Sequence, residues 1–293
     1  MIGNLENLRS LALENNNISG SIPVEIGDLS NLQAMSLDGN QLIGPIPASI
    51  GNLTLLTDLT LTGNQLTSIP AEFANLTSLI RFDLSYNNLS GPLPTNIGNL
   101  TSLTSLNVYS NHLTGSIPSS IGNLTNLVSI NLANNSFSGT IPSSIGNMSS
   151  LIYTILDNNE LSGPIPAEIN NLSTIYFMAR NNKLDQLPDL SSYPNISSVV
   201  LDVAYNRIPF GYLEDYFTNG TYPFNYFLCD GQTINLPETV TVTTGNALLI
   251  TVPGPGESTA IMWRKQDTDG SWTDISASNE DATQLTLKSQ ALI

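Results

Sequence analysis

The residues able to carry chemistry are few: the 293-residue chain holds one histidine, His112, one cysteine, Cys229, and 24 acids. An imidazole serves as a general base and a thiol as a nucleophile only with partners in reach. A single copy of each, far apart in sequence, assembles no Ser-His-Asp, Cys-His or multi-ligand zinc site. His112 follows Asn111 at a place that other copies of the same pattern fill with Gln41, Gln65, Asn88, Ser136 or Glu160, so it reads as a polar surface position. Cys229 reads as a small buried apolar residue or a stray thiol, and alone it permits no intrachain disulfide. Two carboxylates suffice for glycoside hydrolysis, and Asp38, Asp58 and Asp83 are predicted on neighbouring strands, about 4.8 Å apart, within reach of catalytic separations. A shallow open surface, however, desolvates neither acid, so neither pKa is raised. They read as solvated acids, with weak calcium binding left open. Glycines occur singly as Ile-Gly-Asn rather than in a phosphate-cradling loop. No catalytic residue, metal site or cofactor is assigned.

What must position these residues is a repeat. The pattern Leu-x-x-Leu-x-Leu-x-x-Asn-x-Leu places asparagines at Asn16, Asn40, Asn64, Asn87, Asn111, Asn135, Asn159, Asn182 and Asn206, at intervals of 24, 24, 23, 24, 24, 24, 23 and 24 residues. A period in the twenties with this spacing is the leucine-rich-repeat signature, each copy supplying one short strand and a return path. In Ser105-Leu106-Asn107-Val108-Tyr109, alternation sends Leu106 and Val108 to a core and the other three to the opposite, concave face. Stacked copies pair their strands in parallel and satisfy backbone groups between coils. The recurring asparagine has both donors and an acceptor for the unpaired groups of its own turn and the adjacent one. Nine such amides are expected to form a structural ladder.

After the ladder comes Leu113-Thr114-Gly115-Ser116-Ile117-Pro118, with counterparts Ile18 to Pro23, Leu42 to Pro47, Leu89 to Pro94, Phe137 to Pro142 and Leu161 to Pro166. Gly allows a tight turn and Pro fixes an extended path, so the return legs are expected as short strand, irregular turn or 3-10 helix. Leu66-Thr67-Ser68-Ile69-Pro70 and Leu184-Asp185-Gln186-Leu187-Pro188 each lack the glycine and one residue, so those repeats should bend differently. The phrase Leu-x-Gly-x-Ile-Pro-x-x-Ile-Gly-Asn-Leu resembles the plant-type class of leucine-rich repeats, known from receptor-kinase ectodomains and from inhibitors of cell-wall-degrading enzymes, and also found in bacterial surface proteins. The resemblance covers about residues 1–206. Plant members usually carry paired cysteines in caps at both ends, which this chain lacks. The junction Asn206-Arg207-Ile208-Pro209-Phe210 and the tail are similar to bacterial surface proteins in which repeats precede immunoglobulin-like modules.

Residues 207–237 turn aromatic and are expected to form a closing cap and linker; Phe210, Leu213 and Phe217 are spaced for a short helix from about Pro209. Residues 238–293 alternate in short runs bounded by turn residues, which predicts a truncated all-β immunoglobulin-like sandwich with Trp263 in its core. Because Met1 to Leu5 begin in mid-repeat and only about five strands can be counted at the other end, the sequence reads as an excerpt of a longer protein.

Charged residues make up only 11%, and the net charge of -16 opposes nucleic acid, whose affinity comes from Lys and Arg on phosphates. The same sign disfavours an anionic membrane surface, and no apolar run reaches the roughly 20 residues that span a bilayer. Asn-x-Ser/Thr triplets abound, but most arise from the repeat itself. Among outward strand positions the first half is small and acidic, and the second half is aromatic and apolar. Arg81, Asp83, Tyr109, Tyr153, Ile155, Tyr176, Met178 and Arg180 are the candidate partner-binding residues, since aromatic and Arg anchors commonly dominate interfaces. An alternative is that Ile155 and Met178 cover an irregular strand register, because Thr154 and Ala179 are poor core residues. The expected function is an extracellular or cell-surface binding or adhesion module recognising a protein or carbohydrate. A structural spacer in a large adhesin, or an inhibitor of an extracellular polysaccharide hydrolase, are the alternatives.

Overall fold

The computed structural model describes residues 2–190, 193 and 199–209 with their side chains. Beyond these it describes only the backbone strands Tyr226–Leu228, Thr239–Val242, Thr251–Gly254, Glu257–Ala260, Arg264–Gln266, Trp272–Asp274 and Leu285–Lys288.

The repeats wind into a solenoid with one strand per coil: β1 (Ser10–Ala12), β2 (Ala34–Ser36), β3 (Asp58–Thr60), β4 (Arg81–Asp83), β5 (Ser105–Asn107), β6 (Ser129–Asn131), β7 (Tyr153–Ile155), β8 (Tyr176–Met178) and β9 (Val200–Asp202). All neighbours pair in parallel without a slip, Leu106 lying beside Phe82 and Ile130, for example. A tenth strand, β10 (Tyr226–Leu228), continues the sheet in the same register against β9. These three residues fall within the segment 207–237 that the sequence assigns to the closing cap and linker. The helix expected near Phe210 lies outside the described residues, as does Cys229.

Each strand is three residues because its middle side chain alone points inward, and the next inward residue already belongs to the exit turn. Leu59, Leu106, Leu61 and Val108 are fully buried, as are return-leg residues such as Leu29, Ile50, Leu53, Leu76, Ile97 and Leu124. One apolar spine results, with Phe73 and Phe82 packed at a centroid distance of 4.9 Å. Each such side chain contributes about 1.5–3 kcal/mol on full burial.

The return legs are short 3-10 turns, such as Ala48–Asn52 and Ser119–Asn123, each entered from a proline in extended conformation (Pro47 φ -68°, Pro118 φ -62°). They stack closely: a Cβ on Gly51 would lie 2.6 Å from the Glu72 carbonyl of the next coil. Between ladder and turn, short strands form a second, lateral set of parallel sheets. Three strands (Ser19–Gly20, Gln41–Gly44, Gln65–Leu66) make one, and five from Ser90–Gly91 to Lys183–Gln186 make the other. The division falls at the 23-residue coil that lacks a glycine. The second such coil pairs through a register shift between Gly163 and Pro164. Both shortened repeats therefore do alter the local path, as their missing residue predicts.

Toward the carboxy terminus the described strands pair antiparallel, Thr239–Val242 with Leu285–Lys288, Thr251–Gly254 with Glu257–Ala260, and Arg264–Gln266 with Trp272–Asp274. The expected sandwich core at Trp263 lies outside the described residues.

Candidate partner-binding face

The ladder fixes where the concave side chains stand. Asn111 Nδ2 donates to the Val108 and Tyr109 carbonyls of its own turn, at 3.1 and 3.4 Å, and to the Leu84 carbonyl of the preceding coil at 3.0 Å. Its Oδ1 accepts the Leu89 N–H at 3.0 Å. The same set recurs at Asn40, Asn64, Asn87, Asn135, Asn159, Asn182 and Asn206. Asn16 bonds only within its own turn, to Leu13 and Glu14, and is exposed.

One position before each ladder asparagine the backbone is left-handed in all nine coils: Asn15, Gly39, Gly63, Tyr86, Ser110, Asn134, Asn158, Asn181 and Tyr205, with φ between 50° and 67°. This bend closes the strand and turns the amide inward. It also carries Tyr86 and Tyr205 outward, 57% and 42% exposed, which adds two residues to the surface that the strand-alternation rule does not reach.

On the amino-terminal half of the concave face the polar side chains satisfy one another. Asp83 Oδ1 accepts from Ser85 Oγ at 2.6 Å and Thr62 Oγ1 at 3.0 Å, while its Oδ2 accepts from Asn107 Nδ2 at 3.0 Å. Asp38 takes the Thr62 N–H at 2.7 Å, and Asp58 takes the Thr57 hydroxyl at 2.8 Å. Asp38 and Asp83 are braces between coils, whereas Asp58 is held by its own neighbour Thr57. Arg81 is exposed beside them. Among the described residues, no three His, Cys, Asp or Glu side chains converge as a metal site would require. His112 stands exposed at the start of a lateral strand.

The carboxy-terminal half differs. Tyr153, 45% exposed, meets Tyr176 edge to face at 5.3 Å. Ile155 and Met178 are half-buried directly below, on paired positions of β7 and β8. The strands keep a regular register here: Thr154 and Ala179 point inward, 2% and 0% exposed, alongside Phe177. Ile155 and Met178 therefore face outward in the ordinary way, contrary to the irregular-register alternative. Arg180 places Nη1 3.4 Å from Asp202 Oδ2 and its guanidinium carbon 5.5 Å from the centre of the Tyr205 ring. Its backbone N–H donates to Asp157 Oδ1 at 2.7 Å. Burial pushes the Asp157 carboxyl above its ordinary value; the Arg180 backbone N–H opposes this, the Asp202 charge adds to it, and the Arg180 charge opposes it. Outward positions Asp202 and Ala204 are covered, at 1% and 0% exposure, so the far end of the predicted surface is closed over. Tyr109 sits apart from the Tyr153 group, edge to face with Tyr86 at 5.1 Å. The eight predicted residues thus form a cluster of five from Tyr153 to Arg180, plus Tyr109 with Tyr86, plus Arg81 and the brace Asp83.

On the opposite, return side, a groove of about 750 Å³ runs between the proline steps Ile141-Pro142, Ile165-Pro166 and Leu187-Pro188. It is a consequence of coil stacking and lies away from the tyrosines.

Comparison with known proteins agrees with this geometry. The Leucine-rich repeat region family matches residues 1–89, and the Leucine Rich Repeat family matches residues 102–124 and 126–148. No curated protein matches the chain. Among solved structures, the plant peptide hormone receptor RGFR1 in complex with RGF2 is 36% identical at a TM-score of 0.66, over 71% of this chain and 34% of that one. A TDR receptor is 29% identical at 0.68, over 81% and 41%. The Arabidopsis receptor kinase HAESA, in complex with the peptide hormone IDA and the co-receptor SERK1, is 29% identical at 0.57, over 80% and 44%. The chain spans less than half the length of each. Repeat period and family matches together make the chain a leucine-rich-repeat protein, similar in sequence and fold to plant receptors of that class.

Proposed function

We propose that the repeats are an extracellular recognition module that binds a protein partner on the carboxy-terminal half of the concave face. The observation that carries this is the outward display of Tyr153, Tyr176, Ile155 and Met178 on strands whose core residues are in regular register. Nothing in the packing calls for apolar side chains there, and exposed apolar clusters with an Arg at the margin are where interfaces gain most of their energy. Solved neighbours support a protein or peptide as the partner, since RGFR1 is a peptide hormone receptor in complex with RGF2 and HAESA is in complex with the peptide hormone IDA. They support an extracellular setting too, one neighbour being the ectodomain of a plant membrane receptor kinase. Among the described residues no helix is long and apolar enough to cross a membrane. No catalytic constellation is proposed.

Selection of a displayed random-peptide library on the immobilised chain tests this reading. Enriched peptides should lose about tenfold or more in affinity for a Tyr153→Ala, Tyr176→Ala double variant that retains the parent circular dichroism spectrum. Peptides that bind parent and variant alike, or a library that yields no binder, would return the solenoid to the role of a spacer.

A further inference from the structure

A second polar row runs beside the buried ladder, one residue earlier and facing solvent. Asn181 Nδ2 donates to Asn158 Oδ1 at 2.6 Å, Asn158 Nδ2 to Asn134 Oδ1 at 2.6 Å, and Asn134 Nδ2 to Tyr109 Oη at 2.9 Å. Asn158 and Asn181 are exposed. A primary amide has two N–H groups and two lone pairs, so each member keeps an N–H and an acceptor site for a ligand after the row is joined. The amides all point the same way along the solenoid, which polarises them in one sense.

Rings bracket this row. Tyr86 lies edge-on to Tyr109 at one end, and Tyr205 occupies the left-handed position of the coil after Asn181. Both tyrosines hold φ near 55°, at 54° and 57°, a conformation that bulky side chains disfavour. Gly39 and Gly63 fill the equivalent positions of earlier coils at no such cost. The bend itself belongs to every coil; at Tyr86 and Tyr205 it holds a ring out on the rim, 57% and 42% exposed.

The chemistry of the row selects its ligand. Its side chains are neutral amides and phenols, offering paired donors and acceptors between flat apolar rings. They repeat once per coil, about 4.8 Å apart. An extended peptide laid across the coils repeats its side chains on one face every two residues, about 6.7 Å, and falls out of step within three coils. A β-1,4-linked pyranose chain advances by close to one ring per coil. We propose that this rim is a subsite for a neutral linear oligosaccharide, one sugar per coil, with hydroxyls on Asn134, Asn158 and Asn181 and ring faces against Tyr86 and Tyr205. This site does not depend on the protein-binding face proposed above.

Calorimetric titration with cellohexaose and chitohexaose tests it, with the trisaccharides for comparison. At least one hexasaccharide should bind, roughly tenfold or more tighter than its trisaccharide, and salt should change the affinity little because the ligand and the amide row are neutral, the Arg180 guanidinium lying beside the site on the Tyr205 ring. Asn158→Gly keeps the left-handed backbone and removes only the amide; it should weaken binding about tenfold, and Tyr205→Asn should do the same. Tyr153→Ala should leave sugar binding intact, which separates this test from that of the protein-binding face. Absence of binding by both hexasaccharides, equal affinity for short and long chains, or full affinity in Asn158→Gly would overturn the proposal.

Discussion

Asn111 and Asn16 occupy the same turn in different surroundings, and the contrast isolates what the buried amide does. Asn111 joins two coils through four hydrogen bonds, whereas Asn16 holds only its own turn and is exposed. Asn111→Ala should therefore cost about 1–3 kcal/mol in urea unfolding, and Asn16→Ala well under half of that; equal losses would show that the turn, not the link, is what the amide supports. Ser110 is held at φ 55°, so Ser110→Gly should gain up to about 1 kcal/mol, relief of left-handed strain exceeding the added freedom of the unfolded chain. Asp157 gives a pH signature. Its carboxyl is raised chiefly by burial, so the fold favours the protonated form, and stability is lost as pH rises through the folded-state value. Asp157→Asn keeps the acceptor for the Arg180 N–H, and it should be more stable than the parent at neutral pH. The advantage should vanish below the ordinary carboxylate range, as unfolding curves at several pH values will show. At this scale the ladder was legible because asparagine recurs at a fixed place. The left-handed column was not, since Tyr86, Ser110 and Tyr205 are not residues that announce such a backbone, and only the glycines and asparagines among the nine do.

Two glycines of successive repeats are required for opposite reasons. Gly51 sits in a 3-10 turn with the next coil pressed against it, a Cβ there meeting Glu72 at 2.6 Å, whereas Gly20 has open space around it and φ +87°. Gly51→Ala should cost about 1–3 kcal/mol through overpacking, and a larger residue more. At Gly20 the order reverses: asparagine, which tolerates left-handed backbone, should be milder than alanine. Midpoints of urea unfolding for the four variants will test that crossing. Elements were legible in the sequence to the extent that one residue type made each of them. Alternation marked the strands, Ile-Pro marked entry to the return turns, and a missing glycine marked the coil where the lateral sheet divides. The tenth strand was missed because Tyr226-Phe227-Leu228 lacks the repeat's leucine and asparagine spacing, and its register comes from β9, not from its own pattern.

For the solenoid as a whole, charge and neighbour coupling govern stability. Net charge is -16, and ion pairs among the described residues include Arg180 with Asp202 and Lys183 with Glu160. Self-repulsion over the surface therefore exceeds local pairing, and moderate sodium chloride should raise the thermal midpoint by screening it; a falling midpoint would mean that the pairs dominate. Leu11 and Leu13 of the first coil are half-buried where Leu59 and Leu61 are fully covered. Amides of β1 should accordingly exchange with deuterium fastest and those of β4 to β7 slowest, in keeping with stability shared between adjacent coils. The candidate face was legible as a list of outward residues but not as a surface, because coverage of Asp202 and the self-satisfaction of Asp83 depend on neighbours one coil away. That dependence on the adjacent turn bears on ancestry. Each ladder amide needs its donors and acceptors at fixed offsets upstream, so genetic duplication or deletion preserves the weave only in whole multiples of the winding. Lineages can lengthen or shorten this scaffold in steps, and a frame-preserving change of half a winding should be purged however conservative its residues.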